Sequence, residues 1–572
     1  MLEAADTGRP PPPTPPSEAA RRRRRLLDVL VVLAFAAYAI CAHVDRRGHP
    51  RQVLDLSSDA GNIASFAAAL DHPERMKGDM VLADADNFRF YWTIHIPLLR
   101  GLVKVTGDYG SAYVAMQGPH VFLYLLGFYV LGRVLLRKVA WAVLLAVMLI
   151  VPFYIRPLST FWGLWRDPLP RVTISALLGF AWAGALAWRE RPARWPLLMA
   201  VAGGFMYLHP VGAPVIALGL WLAFWSHRPP GWRWPKRLAW LLLCGLAAVV
   251  VAAPFAVNYM TSHVHGRIDR ADLVRQVFEY RLSRSFYDAP FAAWEFLKLV
   301  TVRHPLLPLA ALGVVGVWRL GTPVDRARLR VLGLWAVGVV VMSVAIPVAE
   351  QRVARAAGAM PLEVDLIRGL RFFVPLSVVA ILWGLSLLLG SIRRAEARCV
   401  LAVGLLGVVL WVYLSGTRAS VVLDPLAHAG RRLTGGQPDK PGPQHRLVLA
   451  IQRTAPGSRI LPVGVDPLAI RYGAMRPVVY SHKDGGCLLY GNAAGAIRWY
   501  AIARRFDAMD ELALPSDKAV VFREILEATA PRYLAFRTKD LPVAVAPPDA
   551  RIIWQEEGYV LMRLADGDGP DR

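Results

Sequence analysis

Long apolar runs divide the sequence, and short arginine-rich stretches separate them. A helix of roughly 20 apolar residues is long enough to cross the hydrocarbon core of a bilayer. Several of the runs are somewhat shorter than that, so the ends of individual helices are only approximate. The pattern predicts a polytopic α-helical membrane protein with about eleven transmembrane helices, near residues 26–42, 114–136, 139–155, 172–188, 196–209, 211–226, 238–257, 305–320, 331–349, 371–391 and 399–416.

The basic residues between these spans all fall on one side when the spans are counted alternately from a cytoplasmic N-terminus. Cytoplasmic loops of membrane proteins carry an excess of lysine and arginine, so this agreement supports the count. The stretch 196–226 is the weakest part of this span assignment. Pro210 and Pro214 interrupt it, and either a helical hairpin or one kinked helix fits the sequence. The charge pattern of the later loops requires two passes there. The clusters are Arg137/Lys138, Arg189/Arg191/Arg194, Arg228/Arg233/Lys236/Arg237, Arg326/Arg328/Arg330 and Arg393/Arg394/Arg398.

The same count places four segments on the extracytoplasmic side. They are the loops 43–112, 156–171 and 258–304 and the whole chain after residue 416. Arg21–Arg25 and the following apolar run also resemble a signal peptide, but no convincing cleavage site follows, so we interpret them as an uncleaved first span. The composition, rich in Ala, Arg, Gly and Pro, is typical of a GC-rich bacterial genome. We therefore expect a multi-pass protein of the bacterial cytoplasmic (inner) membrane.

The net charge of +24 and the four cysteines exclude two other classes of protein. The arginines cluster in short loops and form no basic face interleaved with aromatic residues, so nucleic acid is not an expected partner. No C-x-x-C or Cys/His spacing occurs, and the sequence therefore predicts neither a disulfide framework nor a metal site.

Outside the bundle, the two ends of the chain differ. Residues 1–25 are mostly proline-rich and polar, which predicts a disordered cytoplasmic segment. Residues 417–444 contain Gly- and Pro-rich turns and form a predicted linker. Residues 445–572 alternate helical and strand patterns and end in two runs joined by a Glu-Glu-Gly turn, which predicts a soluble α/β domain with a C-terminal hairpin.

The first outer loop carries several carboxylates. Asp59 begins an apparent helix with one apolar face, which we expect to lie as an amphipathic helix at the membrane surface. Asp84 and Asp86 follow, and then His95, and we select these three as candidate substrate-binding residues. A helix N-cap explains Asp59 equally well, and turn residues explain Asp84 and Asp86.

Charged residues at other outer positions are candidates for binding a phosphate. Arg166 and Asp167 lie in the loop 156–171, where a local ion pair is the alternative interpretation. Arg368 and Arg371 stand at the outer end of a span, where the positive-inside rule disfavours arginine, and guanidinium binds phosphate through paired hydrogen bonds. Lys483 belongs to a charged group in the soluble domain. To these we add His209, which lies within or at the rim of the bundle, where polar groups are costly.

The order of these features resembles the GT-C superfamily of membrane glycosyltransferases, which use polyprenyl-phosphate-linked sugars. The resemblance covers nearly the whole chain and rests on the first-loop carboxylates, the spans and the soluble tail. Short motifs are also similar to an uncharacterised bacterial membrane-protein family allied to that superfamily, which is the alternative; they are Ser58–Asn62, His95–Pro97, Gly107–Tyr109, Arg476–Lys483 and Arg498–Tyr500.

The resemblance implies roles for individual residues. Asp59 would be the catalytic carboxylate, acting as a general base on the acceptor or orienting it. Arg166, Arg368 and Arg371 would offset the charge on the leaving phosphate. Asp167, the carboxylate of the second loop, would be a second catalytic residue. In this sequence the first loop lacks a paired Asp-Glu, Asp84-Ala-Asp86 being the nearest match, and the second loop has a single carboxylate, which disfavours a bound divalent cation. No cofactor is expected.

Three functions compete at this stage. The first is a GT-C-type glycosyltransferase that takes a sugar from a lipid-linked donor at the extracytoplasmic face. The second is a transporter or flippase of a lipid-linked envelope component, although the sequence lacks the matched broken helices that many transporters show. The third is a non-catalytic membrane scaffold. The expected partners are the lipid-linked donor and membrane lipids, and the sequence gives no oligomeric state.

Overall fold

The computed structural model describes residues 17–47, 54–56, 58–262, 271–359, 361, 365–417, 420–433 and 441–565. Most of the predicted disordered N-terminal segment and the residues 434–440 of the predicted linker therefore lie outside the described residues.

Every predicted span coincides with an apolar helix. Within the described ranges, seven helical segments are long and apolar enough to cross a membrane, namely Glu18–Arg46, Tyr109–Leu135, Pro170–Ala187, Trp234–Ser262, Pro323–Ala356, Leu366–Ser391 and Ala395–Leu414. The pair Ala289–Arg303 and Leu306–Leu320 bends by 72° and would make an eighth. The chain is thus a mostly helical protein with several apolar candidate spans, as the sequence predicted.

The remaining helices are shorter. The disputed stretch 196–226 forms two helices, Trp195–Gly204 and Gly212–Phe224, so it is not a single kinked helix. Val139–Ile150 is a further short apolar helix. The others described are Ser58–Asp71, His95–Thr106, Ala271–Arg281, Arg284–Tyr287, Ser420–Leu433, Pro443–Gln452, Asp484–Gly491, Ala493–Glu511 and Pro515–Thr529.

Basic segments that are distant in sequence meet at one end of the bundle. The guanidinium of Arg137 lies 3.1 Å from the carboxylate of Asp325. Arg328 donates a hydrogen bond to the carbonyl of Val134 at 2.8 Å, and Arg24 donates one to the carbonyl of Arg137 at 2.9 Å. Three of the segments that the charge count assigned to one side therefore share one end of the structure.

A four-stranded mixed sheet organises the C-terminal region. Its strands are β3 (Ile460–Val463), β4 (Tyr533–Arg537), β5 (Arg551–Glu556) and β6 (Tyr559–Arg563), in the order β3-β4-β6-β5. Strands β3 and β4 are parallel, whereas β6 is antiparallel to both of its neighbours. A separate antiparallel pair, β1 (Phe153–Ile155) and β2 (Thr160–Trp162), lies in the loop 156–171 region.

The predicted C-terminal hairpin is present as β5 and β6. Its turn places Glu557 at φ 46° and Gly558 at φ 78°. Two consecutive positive φ values match the twist of a tight hairpin, and glycine adopts such a φ at little cost. The predicted strand 477–480 is shorter than expected, since Val478 forms only an isolated bridge to Ile460.

The helix Ser58–Asp71 is buried, so the expectation of an amphipathic helix on the membrane surface was wrong. Of the residues Ile63, Phe66, Ala67 and Leu70, which the sequence places on the apolar face, the first three are buried and Leu70 is exposed. Residues on the other faces, including Ala60 and Ala64, are buried as well. Small side chains on several faces let the helix pack closely between the bundle and the C-terminal domain. The helix therefore forms part of the core.

Candidate functional site

Asp59 is bound by two cations from distant parts of the chain. It lies in the first turn of the helix Ser58–Asp71. One carboxylate oxygen pairs with Arg171, in the first turn of the helix Pro170–Ala187. The other accepts a hydrogen bond of 2.8 Å from the Nζ of Lys483, just before the helix Asp484–Gly491. This carboxylate thus connects the first outer loop, the bundle and the C-terminal domain.

A cavity of about 160 Å³ adjoins this ion pair. Three residues that the sequence singled out, Asp59, His209 and Arg368, line it together with Arg171 and Asp365. The aromatic residues Tyr91 and Trp92 also contribute to its wall. The cavity therefore combines two carboxylates, two guanidinium groups and an imidazole in a half-enclosed space.

Arg371 is buried beneath this cavity. A side chain at Gly212 would bring its Cβ within 3.3 Å of the Arg371 guanidinium and 3.2 Å of the Nδ1 of His209. The missing side chain at Gly212 therefore leaves room for both groups. The backbone N–H of Gly212 donates to that Nδ1 at 3.0 Å, so the neutral ring carries its proton on Nε2 and can donate a hydrogen bond from there.

Cations outnumber carboxylates in this part of the molecule. Arg171 and Lys483 share Asp59, and Arg368 pairs with Asp365 at 3.2 Å. Among the described residues, Arg371 has no carboxylate within salt-bridge distance, and the Nε of Arg368 is buried without a hydrogen-bond partner. Because a buried charge is costly unless it is paired, the arrangement favours an anion in the cavity.

The electrostatics of Lys483 reflect the same excess of positive charge. Burial, together with the charges of Arg171, Arg281 and Arg368, lowers the pKa of Lys483 to about 8, although the neighbouring Cys487 acts in the opposite direction. The ammonium group is therefore charged at neutral pH and loses its proton only a little above it.

His95 lies close to the cavity but does not line it. Its ring is buried and lies between two hydroxyl groups, with Nδ1 3.2 Å from the Oγ1 of Thr93 and Nε2 3.0 Å from that of Thr173. Thr93 itself is part of the cavity wall. The position of His95 suits a residue that holds Thr93 in place.

The structure places Asp167 and Arg166 away from the cavity. Asp167 forms a buried ion pair with Arg46, at the end of the first long helix. Arg166 pairs with Asp55 at 3.0 Å on the surface. Adjacent residues in one loop thus reach different partners, and neither lines the cavity around Asp59.

Asp84 and Asp86 occupy an exposed turn. The carboxylate of Asp84 accepts a hydrogen bond of 2.9 Å from the backbone N–H of Asp86, which caps the short 3₁₀ helix Ala85–Phe88. Asp86 lies 4.0 Å from Arg89 and is exposed. These contacts correspond to the turn interpretation of both residues.

Arg171 and Asp365 were not among the residues selected from the sequence, although both line the cavity. For Arg171 the sequence contained a usable indication. It stands at the outer end of a predicted span, where the positive-inside rule disfavours arginine, as it does for Arg368 and Arg371. Asp365 follows residues outside the described part of the chain, and no sequence pattern distinguishes it.

In the part of the chain that the structure describes, no group of three or more His, Cys, Asp or Glu side chains is arranged to hold a metal ion.

No protein-family model matches the sequence, and no curated protein matches it. Among solved structures, the chain is similar to ArnT from Cupriavidus metallidurans bound to undecaprenyl phosphate, with 14% identity, a TM-score of 0.45, and coverage of 95% of this chain and 99% of that chain.

Proposed function

We propose that the protein is a membrane glycosyltransferase of the GT-C type that transfers a sugar from a polyprenyl-phosphate-linked donor. The observation that carries the proposal is the cavity in which Asp59 faces Arg171, Arg368 and His209. The cavity contains a group that can accept a proton and groups that can bind a phosphate. Sugar transfer requires both kinds of group close to the anomeric carbon.

The phosphate of the donor is bound by the arginines. Guanidinium groups bind phosphate oxygens through paired, charge-assisted hydrogen bonds. Arg371, buried without a carboxylate among the described residues, and Arg368, with its unsatisfied Nε, have the capacity for such bonds. The Nε2–H of His209 supplies a neutral donor beside them.

Arg171 connects donor binding to the activation of Asp59. In the structure, Arg171 pairs with the carboxylate of Asp59. A phosphate that enters the cavity competes for this guanidinium and leaves Asp59 with only Lys483 as a cationic partner. Asp59 is then free to accept a proton from the acceptor or to orient it.

The sugar transfer forms one bond and breaks another at the anomeric carbon. The acceptor oxygen forms a bond to the anomeric carbon while the bond from that carbon to the phosphate oxygen breaks. The electron pair of the broken bond remains on the polyprenyl phosphate, and the acceptor proton moves to Asp59. The arginines stabilise the charge that develops on the departing phosphate.

We further propose that the site faces the extracytoplasmic side of a bacterial inner membrane. The basic segments that meet around Arg137, Asp325 and Arg328 form the opposite, cytoplasmic end. In a cysteine-free background, a membrane-impermeant maleimide should label Lys77→Cys in intact cells and leave Arg194→Cys unlabelled. The reverse result would place the site in the cytoplasm and exclude the proposed topology.

The central experiment separates binding from turnover with Asp59→Asn. Purified protein in nanodiscs is tested for binding of undecaprenyl phosphate by native mass spectrometry, and for release of polyprenyl phosphate from radiolabelled lipid-linked sugars. Because the variant frees Arg171 from its carboxylate partner, we expect undecaprenyl phosphate to bind at least as tightly as to the wild type. Turnover should be abolished.

The matched control is Asp55→Asn, a carboxylate of the same segment that pairs with Arg166 on the surface. It should keep full turnover. If Asp59→Asn turned over as fast as the wild type while folded, Asp59 would have no catalytic role. Binding without turnover by the wild type for every donor tested would favour the transporter function.

A further inference from the structure

A second and larger cavity, of about 510 Å³, opens in the C-terminal domain. It lies at the carboxyl end of β3, where the chain turns at Gly464 with φ +67°. The carboxylate of Asp466 stabilises this turn by accepting a hydrogen bond of 2.9 Å from the backbone N–H of Leu468. In sheets with parallel strands, ligands commonly bind beyond the carboxyl ends of the strands. The position and size suit a small-molecule site.

Lys483 connects the two cavities. Its side chain lines the larger cavity and pairs at 2.8 Å with Asp59, which lines the smaller one. The two cavities therefore meet at a single ion pair. A molecule in the larger cavity reaches the proposed catalytic carboxylate by taking the place of the Lys483 ammonium group.

An unpartnered guanidinium indicates what the larger cavity binds. Arg281 lines it, and its Nε is buried without a hydrogen-bond partner among the described residues. Burial lowers the pKa of Arg281, although the nearby Asp484 raises it. A ligand with a phosphate or carboxylate group would satisfy this guanidinium and gain a charge-assisted hydrogen bond.

The rest of the lining is suited to hydroxyl groups and a ring. Asp510 is an exposed carboxylate of the cavity that makes no ion pair or hydrogen bond with any other described residue. Ionised carboxylates accept hydrogen bonds and donate none, so they match hydroxyl donors. Tyr480 and Phe506 stack at 4.8 Å and offer an aromatic surface.

From these contacts we infer that the larger cavity is the acceptor site, and that the acceptor is a saccharide bearing a phosphate or carboxylate group held by Arg281. The inference rests on the proposed glycosyltransferase function. The acidic group lies at Arg281, the hydroxyl groups face Asp510, and one hydroxyl extends past Lys483 toward Asp59.

The test measures binding of three soluble probes to the full-length protein in nanodiscs by saturation-transfer NMR and calorimetry. The probes are glucose, glucose 6-phosphate and glucuronic acid. We expect at least one of the two acidic sugars to bind more tightly than glucose. Arg281→Gln should weaken that binding on the order of tenfold, the effect of losing one charge-assisted hydrogen bond. Arg281→Lys, which keeps the charge, should retain part of the binding.

Arg275→Gln is the matched control, because Arg275 is an exposed arginine of the same helix that pairs with Asp272. It should bind all three probes as the wild type does. Equal binding of glucose and the acidic sugars, no binding of any probe, or an Arg281→Gln variant that binds like the wild type would each overturn the inference.

Undecaprenyl phosphate distinguishes this failure from failure of the proposed function. Its binding should be unchanged in Arg281→Gln, because it enters the other cavity. If undecaprenyl phosphate does not bind the wild type while glucose 6-phosphate does, the glycosyltransferase proposal fails and the saccharide site remains. If undecaprenyl phosphate binds and is released from donors but no probe binds, only the acceptor site fails.

Discussion

Two ion-pair networks join the first outer loop to the C-terminal domain, and they differ in their access to solvent. In the closed network, Arg471 lies between Asp79 and Asp484, with distances of 2.7 Å to each, and all three side chains are at most 2% exposed. In the open network, Asp59 lies between Arg171 and Lys483, and its side chain is 27% exposed.

The closed network has no capacity left for a ligand. Both carboxylates bind Arg471 through two hydrogen bonds each. Asp79 also accepts hydrogen bonds from the backbone N–H groups of Val81, Leu82 and Val478. Every polar group is satisfied, as a buried ionic network requires. Its role is to fix the loop on the domain, which positions Lys483, the residue before Asp484.

The open network adjoins two cavities and can exchange partners. Arg171 and Asp59 line one cavity, and Lys483 lines the other. The same types of residue therefore stabilise the fold in the closed network and, in our proposal, take part in the reaction in the open network. The two networks differ in whether a ligand can reach their charged groups.

The largest effect is expected for Arg471→Ala. The variant leaves Asp79 and Asp484 buried without their cation, and breaking a buried ion pair in this way costs about 3–5 kcal/mol. Thermal unfolding of the detergent-solubilised protein should show this loss. The exposed Arg453→Ala should change stability by less than about 0.5 kcal/mol. An unchanged unfolding temperature for Arg471→Ala would mean that the closed network is not structural.

Arg371→Gln should impair turnover. Removing one donor that stabilises developing charge typically costs about 10²–10³ in rate. The measurement is release of polyprenyl phosphate from the donor that the wild type uses, at an unchanged unfolding temperature. The control is Arg303→Gln, an exposed arginine that lines a different cavity. Similar turnover by both variants would remove Arg371 from the site.

Lys483 should give the binding of undecaprenyl phosphate a dependence on pH. The pKa of Lys483 is lowered to about 8 from an ordinary value of 10.5. As the pH rises, the folded protein therefore loses this proton at a lower pH than the unfolded chain does. Above about pH 8 the ammonium group that pairs with Asp59 is neutral, so the smaller cavity has one positive charge fewer beside it and the anion should bind more weakly. Between about pH 8 and 10.5 the unfolded chain holds the extra proton, so the contribution of this group to stability rises with pH there.

The measurement compares the affinity for undecaprenyl phosphate at pH 7 and pH 9. The wild type should bind several-fold more weakly at pH 9, whereas Lys483→Gln should show a smaller change. If the variant kept the full pH dependence, another group would be responsible for it.

The smallest effect is expected for Asp86→Asn. Its carboxylate is exposed and lies 4.0 Å from Arg89, a geometry that contributes little. Stability should change by less than about 0.5 kcal/mol, and turnover should not change. A large loss of turnover would show that the first-loop turn takes part in the reaction.

Much of the fold follows from local patterns in the sequence. Each predicted span coincides with a described apolar helix, because the length of such a run and the helix that satisfies its backbone are local properties. The helix Ala289–Arg303, half of the bent candidate span, lay instead in the predicted outer loop 258–304. The Glu-Glu-Gly turn predicts the hairpin of β5 and β6, since positive φ values at Glu557 and Gly558 are a local requirement. The burial of the helix Ser58–Asp71 is not local, because it depends on contacts with the C-terminal domain, which is distant in the sequence.

The site itself depends on contacts between distant residues. The sequence by itself determined that arginines occupy the outer ends of spans and that carboxylates follow the first span. Only the tertiary structure decided that Asp59 meets Lys483, which is 424 residues away, and that Asp167 pairs with Arg46. The packing of the whole chain determines which partners a charged side chain meets. Helix formation, by contrast, depends on hydrogen bonds between residues four apart.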